Sequence, residues 1–252
     1  MSVFRFKKFE VVNEKSAMKV NTDGVLLGAI MTIVPTDIRL LDIGTGTGTI
    51  ALMAAQRLSA ASEQEKNKGY ALDNPVVHAI DIDEASATEA GANFRNSPWV
   101  DMLQAFHSSL DGFIETSGDC KYDLIFSNPP YFEDSLNAPE ERRNNARHTS
   151  TGLSYREILE FAADRLSENG RVAFVLPSET ESALCRHARM NGLHLFRIVR
   201  VRTVPRKAPS RIIAEFSRVR TDAPEDVTLT IQNEGKYTQE YLSLTRDFYL
   251  FA

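Results

Sequence analysis

Of the 252 residues only Cys120 and Cys185 are cysteines. That is too few for the disulfide framework of a small secreted fold and fits a reducing compartment. No apolar run approaches the roughly 18 residues that a bilayer-spanning helix needs. The opening segment, Met1–Lys8, carries no apolar stretch of the kind a secretory signal has, so the expectation is a cytoplasmic protein with no membrane contact. Two cysteines and scattered histidines give no metal-cage spacing, and no metal is expected. A net charge of −5 is not the global positive excess of an electrostatic nucleic-acid binder. Internal repeats and a second domain boundary are also missing. The reading is a single domain over 39–252 with residues 1–38 as an N-terminal extension packed on it, and no obligate protein partner.

What the chain does have is an ordinary globular composition, 42% hydrophobic and 25% charged, and an alternation of short apolar runs with helical periodicity. Strands are expected near 39–43, 76–81, 102–106 and 122–127. A helix over Tyr155–Leu166 should close at Gly170 before a strand Arg171–Leu176, and a helix over Ser178–Asn191 should close at Gly192 before strands near 194–203 and 211–219. Val227–Ile231 reads as an appended strand, and Ser59–Gly69 as a polar surface excursion after the first helix. Alternating βα units imply an α/β fold with a doubly wound, mostly parallel sheet. In such a sheet ligands bind beyond the carboxyl ends of the strands, where the strand order reverses.

Three loops follow predicted strand ends. Asn128-Pro129-Pro130-Tyr131 ends the run Tyr122–Phe126: Asn128 offers a neutral carbonyl acceptor, the Pro129 carbonyl a second, and two prolines stiffen the turn. Tyr131 adds a flat face. This set suits holding a planar amino nitrogen, although a strand followed by a proline turn has the same letters. Leu40-Leu41-Asp42-Ile43 runs into Gly44-Thr45-Gly46-Thr47-Gly48 and then a helix from about Thr49. The third glycine falls one residue too early for a dinucleotide fingerprint, and no lysine follows at P-loop spacing. At the tip of the second strand stand Asp81 and Asp83. Asp81 is the candidate for a bidentate grip on ribose hydroxyls; either aspartate could instead favour the next helix N-terminus.

Positive charge is clustered although the total is negative. Arg197, Arg200, Arg202, Arg206, Lys207 and Arg211 occur with no acidic residue between them, and Arg142, Arg143 and Arg147 follow the proline turn. Local patches decide where phosphates dock. Arg200 and Arg202 also alternate with Val199 and Val201, as on a solvated strand face.

The D-x-G-x-G-x-G turn with N-P-P-Y at the fourth strand resembles class I S-adenosylmethionine-dependent methyltransferases. The resemblance implies a seven-stranded Rossmann-like sheet with an antiparallel edge hairpin. It also implies that Asp42 lies near the methionine end of the cofactor, with Gly44, Thr45, Gly46 and Gly48 lining it. Phe6-Lys7-Lys8-Phe9, the segment Ala17–Ala29, Arg143–His148 and the ending Tyr237–Tyr241 with Phe248–Leu250 are similar to the bacterial tRNA-valine adenine-N6 methyltransferase family. That likeness spans nearly the whole chain. It implies S-adenosyl-L-methionine as cofactor, tRNA as partner, methylation of an adenosine beside the anticodon, and Lys19, Thr22 and Asp23 beside the cofactor. Asn128, Pro129 and Tyr131 are then the catalytic candidates, and Arg147, Arg197, Arg200, Arg206 and Lys207 the RNA contacts. One departure stands out. Where many relatives place an aspartate for the cofactor's adenine amino group, this chain has His107, Ser108 and Ser109, leaving a backbone or Ser109 contact. A protein-glutamine N5-methyltransferase and an RNA-binding module without turnover are the competing readings, since N-P-P-Y serves any planar nitrogen.

Overall fold

The computed structural model describes residues 2–16, 18–69, 73–130 and 153–251. The chain opens with a hairpin, β1 Val3–Arg5 and β2 Glu10–Val12, then helix α1 Thr22–Ile30. The βα alternation follows as β3 Arg39–Ile43, α2 Thr49–Asn67, β4 Val76–Asp81, α3 Glu84–Arg95, β5 Leu103–His107, α4 Leu110–Ser117 and β6 Tyr122–Ser127. The second half contains α5 Tyr155–Arg165, β7 Leu166–Pro177, α6 Glu181–Met190, β8 His194–Arg202, β9 Arg211–Ser217 and β10 Glu225–Thr230. A short hairpin, β11 Gln232–Asn233 with β12 Lys236–Tyr237, leads to α7 Gln239–Thr245.

The central sheet has eight strands in the order β10-β8-β9-β7-β6-β3-β4-β5. Only β9 runs against its neighbours, pairing antiparallel with β7 and β8. The expected seven-stranded sheet is therefore corrected to eight. Glu225–Thr230 adds in parallel to β8 from Arg197 to Arg202, so the hairpin is covered and is not the edge. β3 pairs with β4 on one side and β6 on the other. The direction of strand addition reverses there, and the ends of β3 and β6 frame the crevice that such a sheet offers to ligands.

Both faces of the central strands β3 and β6 are covered, which is why they read as apolar runs rather than alternating ones. Leu40, Val77, Leu124 and Phe126 point to a core shared with α1, α2 and the N-terminal hairpin. Leu41, Ile43, Ile80, Ile125 and Phe174 point to the opposite core, under α5 and α6. The hairpin is anchored by aromatic rings: Phe6 stacks on Phe9 with centroids 4.5 Å apart and on Tyr249 at 6.0 Å, and Phe9 meets Trp99 edge-on at 5.8 Å. Lys7 N–H donates to the Phe248 carbonyl at 2.8 Å, tying the first strand pair to the last residues.

Two further expectations are corrected. Ser59–Asn67 is not a surface excursion but the continuation of α2, whose 19 residues are rich there in Ala, Glu, Gln and Lys, all good helix formers. Gly170 is not a helix terminus. α5 stops at Arg165, where Leu166 caps it; β7 starts at once, and Gly170 sits where its pairing with β6 slips between Tyr122 and Leu124. A Cβ there would lie 2.7 Å from the Tyr122 carbonyl oxygen, so the bulge needs glycine. Gly192, by contrast, does follow α6 with φ +70°, as expected of a helix C-terminal residue. No described helix is long and apolar enough to cross a membrane.

Candidate active site

The glycine turn is shaped by its neighbours before any ligand is considered. The Ile80 carbonyl at the end of β4 accepts from Gly44 N–H at 2.9 Å and Thr45 N–H at 3.0 Å. Asp81 Oδ2 accepts from Gly46 N–H at 2.8 Å, and Asp81 Oδ1 from Asp83 N–H at 2.9 Å. Gly48 closes the turn as the N-cap of α2 with φ 79° and ψ 10°, a left-handed conformation that side chains disfavour. A Cβ at that position would stand 2.5 Å from Phe94 Cε1. Ser127 Oγ, at the end of β6, donates to the Ile43 carbonyl at 2.7 Å, so the turn and the Asn128 loop are joined directly.

Asn128 is 5% exposed and lines one cleft with Gly44, Thr45, Gly46, Lys19 and Met18. The strand-end rule thus gathers the first two motifs as expected. Asn128 Nδ2 donates to Met18 Sδ at 3.5 Å. Pro129 is buried behind it. Tyr131 and Arg147 lie outside the described residues.

Asp42 is fully buried. Its Oδ2 accepts from Thr45 Oγ1 at 2.7 Å, while Oδ1 has no hydrogen-bond partner among the described residues. Burial pushes its carboxyl up to about 7 against the Thr45 hydrogen bond, and the charge of Asp81 adds to the rise. Burial also raises Asp81 above the usual carboxylate range, opposed by the N–H groups of Asp83 and Gly46. Asp83 moves the other way, held low chiefly by the Ser86 hydroxyl. Its Oδ2 accepts from Ser86 N–H at 2.9 Å as the N-cap of α3, which is the helix-start role. Each Asp81 oxygen accepts one N–H and keeps a second lone pair.

Lys19 joins this cleft, with its ammonium on the Glu14 carbonyl at 2.7 Å. Thr22 and Asp23 line the neighbouring cavity instead, where Asp23 Oδ2 pairs with Arg211 Nε at 2.8 Å. The basic run divides as well. Arg197 donates to the buried Glu215 at 2.9 Å, to Glu225 at 3.1 Å and to the Ile30 carbonyl at 2.7 Å. Arg200 pairs with Glu181 and with Asp226 at 2.9 Å. These two guanidiniums tie β8 to its neighbours, so their expected role in docking phosphate loses its support. Arg206 and Lys207 are exposed. Ser109, the alternative holder of an adenine amino group, already accepts from Gly112 N–H at 3.1 Å as the cap of α4.

Sequence reasoning missed the residues that hold the near wall. Glu89, 4% exposed, accepts from the backbone N–H groups of Glu14, Lys15 and Ser16 at 2.9, 2.7 and 3.2 Å. Asn93 bonds Val12 N–H through Oδ1 at 2.8 Å and the Thr47 carbonyl through Nδ2 at 2.9 Å. Together they fix the strap that carries Met18 and Lys19 over the glycine turn. A signal was present: Ser86, Glu89 and Asn93 form a polar stripe at helical spacing on the same helix as the apolar Ala87, Ala90 and Phe94.

A doubly wound sheet with a glycine turn at β3, an aspartate at the tip of β4 and Asn-Pro-Pro at β6 is the architecture of class I methyltransferases. The structure described as a predicted O-methyltransferase from Agrobacterium tumefaciens has a similar fold, with a TM-score of 0.64 at 14% identity over 90% of this chain and 96% of that one. A scan against protein-family models finds no match. Sequence relatives are more specific. A Bacteroides fragilis protein named tRNA1(Val) (adenine(37)-N6)-methyltransferase is 40% identical over 247 residues, covering 98% of this chain and 97% of the relative. A Flavobacterium psychrophilum protein of the same name is 39% identical over 248 residues, covering 98% and 99%. The chain belongs to the tRNA1(Val) (adenine(37)-N6)-methyltransferase family.

Proposed function

We propose that this protein methylates the exocyclic N6 of adenosine 37 in a valine tRNA, with S-adenosylmethionine as donor and the Asn128–Pro129 turn as the clamp on the amino group. The observation that carries the reading is the shared cleft of Asn128 and the Gly44–Gly46 turn. The residues fit the donor. Asp42 Oδ1 is a buried acceptor without a partner among the described residues, Asp81 retains lone pairs for ribose hydroxyls, and Gly44 and Gly46 border the cleft with bare backbone. The cleft is about 30 Å³, with Met18 on its lining. When bound, the donor supplies a methyl group already activated on a positively charged sulfur.

The chain's own task is positioning. An adenine amino nitrogen shares its lone pair with the ring and is a poor nucleophile. Asn128 Oδ1 and the Pro129 carbonyl accept its two hydrogens and turn the lone pair toward the cleft. As the nitrogen bonds the methyl carbon, the carbon–sulfur bond breaks and its electron pair stays on sulfur, leaving a neutral thioether; the nitrogen's surplus proton leaves to solvent, so no strong base is required. Tyr131 offers the extruded base a stacking face worth about 1–3 kcal/mol, against the few kcal/mol spent in unstacking it. Arg147, Arg206 and Lys207 contact RNA phosphates, and Lys19 borders the donor.

The Asn128→Ala variant tests the assignment. It should lose methylation of unmodified tRNA by at least about a hundredfold while its affinity for S-adenosylmethionine, read by calorimetry, stays within about twofold. Weak donor binding with normal turnover would refute it.

A further inference from the structure

A second and larger cavity, about 370 Å³, lies beside the Asn128 cleft, within the roughly 300–1,000 Å³ range of small-molecule sites. The first turn of α1 separates the two. Asn21 and Gly24 line the Asn128 side, whereas Thr22, Asp23 and Leu26 line the other. The far wall comes from the end of β8 and the start of β9 (Thr203, Ser210, Arg211) and from β11, β12 and α7 (Gln232, Tyr237, Tyr241). Nothing in the chemistry of methyl transfer uses this space.

Its lining combines aliphatic residues (Leu26, Val201, Ile231) with an ion pair, two tyrosines and neutral polar groups. The side-chain amide of Gln232 and the hydroxyls of Thr22, Thr203 and Ser210 make no hydrogen bond among the described residues. An amide with a free donor and a free acceptor matches the edge of a base. Tyr237, 41% exposed, is held by stacking on Tyr241 and Phe251 with centroids 5.0 and 5.2 Å away, which makes an aromatic wall of fixed orientation. The Asp23–Arg211 pair fixes the opposite wall. Arg206 and Lys207 lie on the loop between Thr203 and Ser210, where they would meet a backbone phosphate entering the mouth.

We infer that this cavity is a subsite for the nucleotide next to the target adenosine in the RNA chain, with Gln232 reading its base edge and Tyr237 walling its ring. The inference rests on the tRNA substrate proposed above. An extruded adenosine at Asn128 drags its neighbour toward the first turn of α1, and the cavity on the far side of that turn receives it.

The test is a cycle between protein and RNA. Purified wild type and Gln232→Ala are assayed for methyl transfer to an unmodified tRNA and to two versions in which the nucleotide before or after the target is abasic. For wild type, one of the two abasic sites should lower kcat/KM about tenfold. The Gln232→Ala variant should lose about tenfold on intact tRNA, nearly all in KM, and lose little more on that same abasic RNA. Its affinity for S-adenosylmethionine should be unchanged. Losses that multiply for both flanks, or wild-type kinetics for Gln232→Ala, would overturn the subsite while leaving the tRNA reading intact. No methylation of any tRNA by the wild type would overturn that reading first. A conservative Gln232→Glu, which keeps the fold but removes the donor, should follow Gln232→Ala rather than wild type.

Discussion

Gly48→Ala is the substitution for which the structure gives the firmest magnitude. Two separate costs meet at this residue. Its φ of 79° lies in the left-handed region, where an L side chain costs about 1–2 kcal/mol. The new Cβ would then stand 2.5 Å from Phe94 Cε1 and 3.0 Å from Phe94 Cζ. Phe94 is 2% exposed and packed in the larger core, so relieving the clash shifts α3 against α2, an overpacking cost of about 1–3 kcal/mol. The total is about 2–5 kcal/mol. With a urea m-value near 3 kcal/mol/M, the upper end for small proteins, the unfolding midpoint should fall by about 0.7–1.7 M. Gly192→Ala is the built-in control, since its φ is +70° but nothing lies within 4 Å of the added Cβ. It should show the backbone cost alone, about 0.3–0.7 M by the same conversion. Equal midpoint shifts for the two variants would refute the packing half of the reasoning. A Gly48→Ala variant as stable as wild type would refute both halves.

Two further outcomes are expected. Native Asp42 holds its proton up to about pH 7, whereas its ordinary value is 3.8; between those values the native state binds more protons, so this group's contribution to stability declines as pH rises from about 4 to about 7 and is level above. Asp37 and Asp81 shift in the same direction, so Asp42→Asn should flatten the decline in urea midpoint between pH 5 and pH 7.5 without abolishing it, and an unchanged slope would contradict the burial argument. Glu89→Ala strands three backbone N–H groups, each costing about 1–3 kcal/mol unpaired; stability should drop by about 3 kcal/mol or more, and the dissociation constant of S-adenosylmethionine should rise because residues 14–19 lose their anchor. Glu89→Gln, which keeps one acceptor, should fall between. A loss under 1 kcal/mol for Glu89→Ala would show that the strap is held elsewhere.

The central strands were readable because they are buried on both faces, so Leu40–Ile43 and Tyr122–Phe126 could be nothing but core. The two motif loops were readable because glycine and proline carry their backbone geometry in their own covalent structure. What stayed hidden depends on partners distant in sequence. Arg197 and Arg200 look like a phosphate patch until Glu215, Glu225, Glu181 and Asp226 are brought beside them by strand pairing. Gly170 looks like a helix stop because the letters Glu-Asn-Gly fit a turn as well as a bulge; the choice is made by the slip against β6. The strand read at Val227–Ile231 is there, at Glu225–Thr230, but it is exposed over most of its length, so nothing in its letters showed that it extends the main sheet beside β8. Thr22 and Asp23 line the larger cavity, across the helix turn from Asn21 and Gly24, a division at 100° per residue that a motif does not carry.

The central claim is that Asn128 and Pro129 deliver an amino nitrogen to a donor held on the Gly44–Gly48 turn. It is tested most directly by incubating purified protein and S-adenosylmethionine carrying a labelled methyl group with unmodified valine tRNA, then digesting the RNA for nucleoside and oligonucleotide mass spectrometry. The expected product is N6-methyladenosine at position 37, formed by wild type and missing with Asn128→Ala. Label on a ring nitrogen, on ribose or on protein, with adenosine 37 unmodified, would contradict it.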